Sequence, residues 1–192
     1  MELLSIDLSN YCTKQCPFCY NHSTKAGNVI WTPDEVVAFA YDCIVHGVKA
    51  VSLGGGEPFE YDGIWDIIDA LYPRCYLSIT TNGIHLGGKA AWEVLAEHRP
   101  DKIHISLHNP DNIQELSMVE EKCKKLQDIG IKPGCNLLVR ASRLDECKTA
   151  FGRLSKVLEP DQIILIPMRF SDTPTAKQLA GIASKPILPA VL

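Results

Sequence analysis

The sequence predicts an α/β fold in which parallel strands carry helices on their outer side, either as an open sheet or as a splayed partial barrel. Three observations lead there. Six β-rich runs recur along the 192 residues, and a helical pattern follows each of the first five. The runs are apolar at most positions instead of alternating cleanly, which implies strands buried on both faces. Strand and helix alternate in strict order, the pattern of right-handed parallel crossovers.

The strand runs occupy residues 3–8, 49–53, 75–80, 102–107, 133–140 and 162–168. Thr32-Pro33-Asp34-Glu35 opens the first helix as a capping box with proline at its first position. Val36, Val37, Ala40, Cys43 and Ile44 form its inner stripe, and Gly47 closes it. Asp62 is expected to open a second helix bearing Trp65, Ile68 and Leu71. A third runs over Ala91, Trp92 and Leu95; a fourth shows Leu116, Val119, Cys123 and Leu126 and ends at Gly130. A fifth is expected to begin at Ser142, with Asp145 three residues on, and to bury Leu144, Cys147, Phe151 and Leu154. All five approach helical period. Residues 175–183 suit a short helix, and the proline-broken apolar end, residues 185–192, is expected to pack on the rim. One core domain over residues 1–170 with a short tail over 171–192 is the expected organisation.

Composition is ordinary for a globular chain: 46% hydrophobic, 22% charged, net charge −4. A negative balance disfavours nucleic acid as the main partner, because phosphate binding needs a basic face. Apolar runs reach only strand length, so none is expected to span a membrane. The first residues lack the basic region of a secretory signal, and eight cysteines without one suit a reducing, cytoplasmic compartment. Cys43, Cys75, Cys123, Cys135 and Cys147 are scattered within apolar patterns and read as small buried hydrophobes.

The remaining three cysteines are clustered in Cys12-Thr-Lys-Gln-Cys16-Pro-Phe-Cys19. They fall in the long insertion after the first strand, the rim position where βα loops build active sites. Three thiolates on one loop can hold three irons of a cubic iron–sulfur cluster and leave the fourth iron open to a ligand. Two plainer uses compete. His22 could complete a zinc site, although zinc favours four closed ligands from two separated pairs. Cys16-Pro-Phe-Cys19 could be a glutaredoxin-like dithiol, which leaves Cys12 without a role. Forty residues on, Gly54-Gly55-Gly56-Glu57-Pro58 ends the second strand. Glycines there permit positive φ and close approach of backbone to a ligand, or simply a tight turn.

In this order and placement the motifs resemble the radical SAM superfamily. The Cys-x3-Cys-x2-Cys loop follows the first strand, with Phe18 at the aromatic position before the last cysteine. Gly55-Gly56-Glu57 follows the second strand, Thr80-Thr81-Asn82-Gly83 the third, and Ile103-His104-Ile105-Ser106-Leu107-His108 resembles the family's fourth strand. The resemblance spans residues 3–170 and implies a partial (β/α)6 barrel of parallel strands with outer helices. It implies a 4Fe–4S cluster on Cys12, Cys16 and Cys19, with S-adenosylmethionine on the fourth iron. Gly55, Gly56 and Glu57 would meet the methionine amino group. Ser106, Asn136 and Arg140 would meet ribose or carboxylate, and Met168 would pack on adenine. For each of these four a plain rim, surface or core role is the alternative. Thr81 and Asn82 read as turn residues. Tyr20, Asn21 and His22 are placed to shield the cluster or to touch substrate; His108 and Arg169 face substrate, or His108 begins a loop and helix cap.

The implied activity is reductive cleavage of S-adenosylmethionine to a 5′-deoxyadenosyl radical that takes hydrogen from a substrate, with the electron supplied by a flavodoxin or ferredoxin. No extra cysteine group suited to auxiliary clusters follows the sixth strand. An open barrel mouth would suit a protein or peptide substrate that caps it, or a partner subunit; small molecules and ribosomal peptides are equally open as substrates. The run Cys19-Tyr20-Asn21 is similar to the activators of glycyl-radical enzymes, although their glycine-rich lead-in is missing. A non-catalytic iron–sulfur electron carrier is the alternative of a different class.

Overall fold

In the computed structural model, which describes residues 2–183, six strands pair in chain order into one parallel sheet. They are β1 (Leu3–Asp7), β2 (Ala50–Gly54), β3 (Tyr76–Thr81), β4 (Lys102–Leu107), β5 (Lys132–Val139) and β6 (Ile163–Pro167). The sheet curves into a half-barrel wrapped by helices, so the partial-barrel expectation holds. The helices are α1 (Pro33–Val45), α2 (Ile64–Leu71), α3 (Gly88–Glu97), α4 (Ile113–Asp128), α5 (Leu144–Leu154) and α6 (Ala176–Ala183). β1 and β6 are the two edges and do not pair with each other. The expectation for residues 185–192 lies outside the described residues.

Local chemistry accounts for most boundaries. The Thr32 hydroxyl accepts from the Glu35 N–H (3.3 Å), and the Glu35 carboxylate accepts from the Thr32 N–H (2.8 Å), the reciprocal cap expected for α1. Gly47 (φ +101°) and Gly130 (φ +77°) adopt the left-handed backbone that ends α1 and α4. Two starts differ from expectation. α2 begins at Ile64, not at Asp62, because a 3₁₀ turn over Pro58–Glu60 precedes it and Gly63 (φ +84°) breaks helical continuity. Ser142 does not cap α5: its N–H and hydroxyl donate to the Asp172 carboxylate at 2.7 and 2.6 Å. A 3₁₀ turn over Ala141–Arg143 therefore precedes the helix, and Ser142 ties down the segment after β6.

The largest correction concerns the two faces of the sheet. Val51, Leu53, Leu77, Ile79, Ile103, Ile105 and Leu107 point outward and are fully buried against helix residues such as Ile67, Leu71, Leu95, Val119 and Leu126. The alternate positions face the concave side and are mostly polar or small: Ser5, Asp7, Ser52, Gly54, Thr80, Ser106 and Asn136 line a cavity there. Ser5, Ser52 and Ser78 form one row across three strands. Burial on both faces was expected from overall hydrophobicity. A half-barrel has too few strands to fill its own interior with side chains, so period-2 alternation survives. Cys123, Cys135 and Cys147 are buried, Cys43 and Cys75 partly so, and all five pack with the core as free thiols. Burial pushes the Cys123 thiol up to about 12.

The two faces differ in their tolerance of change. Leu53→Ala, on the helix side, is expected to lower the unfolding free energy by about 2–5 kcal/mol. Its neighbour Ser52→Ala, on the concave side, is expected to change it by no more than about 0.5 kcal/mol. Urea denaturation of both variants checks this one-sided core.

Candidate active site

The C-terminal ends of the strands open into a cavity of about 370 Å³, large enough for a nucleoside-sized ligand. Cys12, Cys16 and Cys19 all face it, opposite Ser106 and Asn136 from the strands across the bowl. The chain between β1 and α1 that carries them is built on β1 itself. An isolated bridge joins Tyr11 to Thr24, with Cys12 N–H donating to Thr24 O and Thr24 N–H to Asn10 O, both at 3.0 Å. The Cys19 N–H donates to Cys16 O at 3.1 Å and the His22 N–H to Cys19 O at 3.2 Å, so consecutive turns carry the thiols.

The glycine turn is fitted to this loop. Gly56 N–H donates to Ser9 O (2.7 Å) and Glu57 N–H to Tyr11 O (2.9 Å). A Cβ on Gly56 would overlap the Tyr11 backbone, and one on Gly55 (φ +106°) would crowd Leu8 and Ser9. These two glycines are thus required by close approach of one loop to another. At Gly54 a Cβ would meet only the Asp7 carboxylate, at 3.4 Å, and would project into the cavity.

Glu57 is 1% exposed. Its carboxylate accepts from the Thr81 hydroxyl (2.6 Å), the Asn82 N–H (2.7 Å) and the Phe59 N–H (3.2 Å). Burial raises its pKa, and these three donors oppose the rise. The side chain therefore serves as a fastener between the loops after β2 and β3, while also lining the cavity. Asn82, whose N–H is held by Glu57, directs Nδ2 to Cys12 Sγ at 3.8 Å.

Two further carboxylates hold the cysteine loop from either side. Glu60 accepts from the Thr13 N–H (2.9 Å) and hydroxyl, and lies 2.7 Å from His85 Nε2. Lys14 Nζ donates to Glu115 Oε1 (3.0 Å) and to His108 Nδ1 (2.8 Å). Burial alone would raise both carboxyls. At Glu60 the Thr13 and His85 contacts outweigh it; at Glu115 those of His108, Asn109 and Lys14 do, and both acids stay below the usual range. Burial raises the Cys16 thiol; Lys14 works against this, whereas Cys12 and Cys19 add to it. Three cysteine sulfurs beside one cation form a donor set that, once deprotonated, a multiply charged metal cluster would satisfy. Among the described residues no three His, Cys, Asp or Glu side chains group tightly enough for a single metal ion. The three cysteines line one cavity, and Cys12 and Cys19 lie near enough to act on the Cys16 thiol.

Of the residues singled out in the sequence, Phe18, Gly55, Gly56, Glu57, Ser106, Asn136 and Met168 line the cavity with the cysteines. Arg140 does not. Its guanidinium lies over the Phe18 ring, 5.0 Å from the centroid, and its Nε is buried without a hydrogen-bond partner among the described residues. Tyr20, His108 and Arg169 line the cavity, whereas Asn21 donates to Ser9 O (3.1 Å) and exposed His22 stays outside. Asn112, not the His108 segment, caps α4. Thr81 and Asn82 are more than turn residues. Glu60, Glu115, Thr13 and Lys14 carried no local signal, because their partners lie 47 and 101 positions away in the chain. Ser5, Asp7 and Ser52 had one: the polar alternation in Leu-Ser-Ile-Asp and Val-Ser-Leu-Gly.

Removing the Glu57 fastener as Glu57→Ala leaves buried donors unpaired and is expected to cost about 2–4 kcal/mol in the protein before any cofactor is added; urea denaturation measures it. A second expectation concerns pH. Burial, reinforced by Lys102 and Lys132 against the Asn136 hydrogen bond, lowers His104 from 6.5 to about 4. The unfolded chain therefore takes up a proton at this residue before the folded one does. Stability from His104 is complete above pH 6.5 and is withdrawn as pH falls toward 4. Glu60 and Glu115, depressed below 4.5, add their losses only below that value. Between pH 6.5 and 5 the unaltered protein is expected to lose stability, and His104→Phe to lose less, in urea midpoints at the two pH values.

Comparison with known proteins accords with this geometry. The family model described as the radical SAM superfamily matches residues 6–139. A protein of Methanocella arvoryzae named "Probable GTP 3',8-cyclase" is 34% identical over 108 residues, 56% of this chain and 34% of that protein. A GTP 3',8-cyclase of Clostridium perfringens is 31% identical over 137 residues, 67% of this chain and 42% of that protein. The chain thus spans less than half the length of these curated relatives. Among solved structures, Streptococcus suis SuiB bound to its precursor peptide SuiA superposes with a TM-score of 0.69 at 18% identity, over 95% of this chain and 44% of that one. With its family model matched from β1 through β5, the chain belongs to the radical SAM superfamily.

Proposed function

We propose that the chain carries out reductive cleavage of S-adenosylmethionine and directs the product at hydrogen on a substrate held in the half-barrel. One observation carries this reading: the three-cysteine loop and the glycine turn are hydrogen-bonded to each other on one rim of one cavity. The superfamily uses a 4Fe–4S cluster and S-adenosylmethionine. Bound together, the two would supply a 5′-deoxyadenosyl radical, with a flavodoxin or ferredoxin as the proposed source of the electron.

The protein's share is placement and exclusion of water. Cys12, Cys16 and Cys19 would hold the cluster, with Asn82 Nδ2 donating to the Cys12 sulfur. A donor aimed at a ligating sulfur favours the reduced state, because added negative charge strengthens the hydrogen bond. Lys14 adds positive charge beside Cys16 while Glu115 anchors it. The glycine turn would offer its backbone to the methionine end of S-adenosylmethionine, with Ser106 and Asn136 across the bowl. Free thiols of this kind suit a reducing cytoplasm.

The matched relatives include proteins named for GTP and one solved with a peptide. The cavity lining favours the second kind of substrate. Among the described lining residues, Lys14 is engaged by Glu115 and the Glu57 carboxylate by Thr81 and Asn82, so Arg169 and Asp7 offer one charge of each sign. That pairing suits a peptide or amino-acid group.

The test is anaerobic reconstitution followed by dithionite and S-adenosylmethionine, with 5′-deoxyadenosine measured. The unaltered protein and Cys75→Ala are expected to form it; Cys16→Ala is expected to lose both the product and the iron and sulfide. Full retention of iron and sulfide in Cys16→Ala contradicts the assignment, and absence of the nucleoside from the loaded unaltered protein leaves an electron carrier instead. Among the described residues no helix is long and apolar enough to cross a membrane.

A further inference from the structure

His104 lies on the concave face of β4, one alternation below Ser106, and is 6% exposed. Its ring packs against β5 at Gly134, its register partner. A Cβ on Gly134 would stand 2.5 to 2.8 Å from three atoms of the ring, so the glycine is what admits it. His104 Nδ1 is 2.8 Å from Asn136 Oδ1. An amide oxygen only accepts, so Nδ1 carries the hydrogen. Burial keeps the ring neutral at pH 7, which leaves the lone pair on Nε2.

This contact has a consequence for Asn136, which lines the cavity beside Ser106. The two ends of an amide have nearly the same shape, so an unrestrained asparagine can present either oxygen or NH2. With its oxygen engaged by His104, Asn136 turns its NH2 toward the cavity. We propose that His104 is a positioning residue: it fixes the Asn136 amide as a hydrogen-bond donor, and so commits this side of the cavity to an oxygen acceptor of the bound nucleotide, a ribose hydroxyl or a carboxylate oxygen. The assignment rests on the functional reading above for the identity of the ligand, and on the His104–Asn136 geometry for everything else. Gly134, His104 and Asn136 form one chain of dependence: the glycine makes room for the ring, the ring orients the amide, and the amide meets the ligand.

Two measurements test it. In apo protein labelled with 15N-histidine, nitrogen–proton correlation at pH 7 is expected to show His104 as the neutral Nδ1–H tautomer. In the cluster-loaded protein, equilibrium dialysis of S-adenosylmethionine is expected to show about tenfold weaker binding for His104→Phe, which keeps a ring and removes the donor. Asn136→Ala should lose a similar factor, and the double variant no more than either alone, since both remove one interaction. His104→Gln, which restores a donor, should recover part of the affinity; Gly134→Ala, which displaces the ring, should lose it. An Nε2–H tautomer, or losses that multiply in the double variant, overturns the proposal. If the loaded unaltered protein does not bind S-adenosylmethionine at all, the functional reading fails, and the tautomer alone then decides the role of His104.

Discussion

The arrangement of the rim depends on one buried carboxylate. A charge inside a protein is tolerated only when hydrogen bonds replace its lost water. Glu57 meets that condition with donors from the loop after β3 and from its own turn, while its backbone N–H reaches the cysteine loop. Three chain segments far apart in sequence are thereby held at fixed separation. The adjacent glycines follow from the same requirement, since no side chain fits between the turn and the Tyr11 backbone. Glu60 and Glu115 repeat the device at the flanks, each receiving donors from a residue between the first two cysteines.

A second constraint is geometric. Six strands curve without closing, so hydrophobic packing can occupy only the side where helices cover the sheet. Small and polar residues predominate on the concave side, where among the described residues no helix packs. A cavity at the strand ends is thus the ordinary result of placing large aliphatic residues at every second position and serine, glycine or threonine between them.

Most of the architecture was legible in the sequence, because strand and helix periodicities are local. The Thr32 capping box and the glycines ending α1 and α4 are visible in a few consecutive residues. The starts of α2 and α5 were not, since Gly63 uses a left-handed backbone and Ser142 bonds to Asp172, thirty positions away. In the site, the cysteines and the glycine turn were legible as motifs. The partners that support them were not: Thr81 and Asn82 look like any turn, and Lys14 finds Glu115 only once β1 and β4 lie in one sheet. Arg140 ends the fifth strand, and the direction its side chain takes is not a local property: it lies over the Phe18 ring, itself part of the cavity lining.

Among the described residues β1 and β6 each pair on one side only, and this has a mechanical meaning. In a closed barrel, strand number and stagger set the diameter, and the ring of hydrogen bonds leaves little freedom. Here the ladder ends at both sides, so a few degrees of added twist per strand pair would widen or narrow the bowl without breaking a ladder bond. The width of the mouth is therefore set by the twist of the sheet and not by closure of a hydrogen-bonded ring.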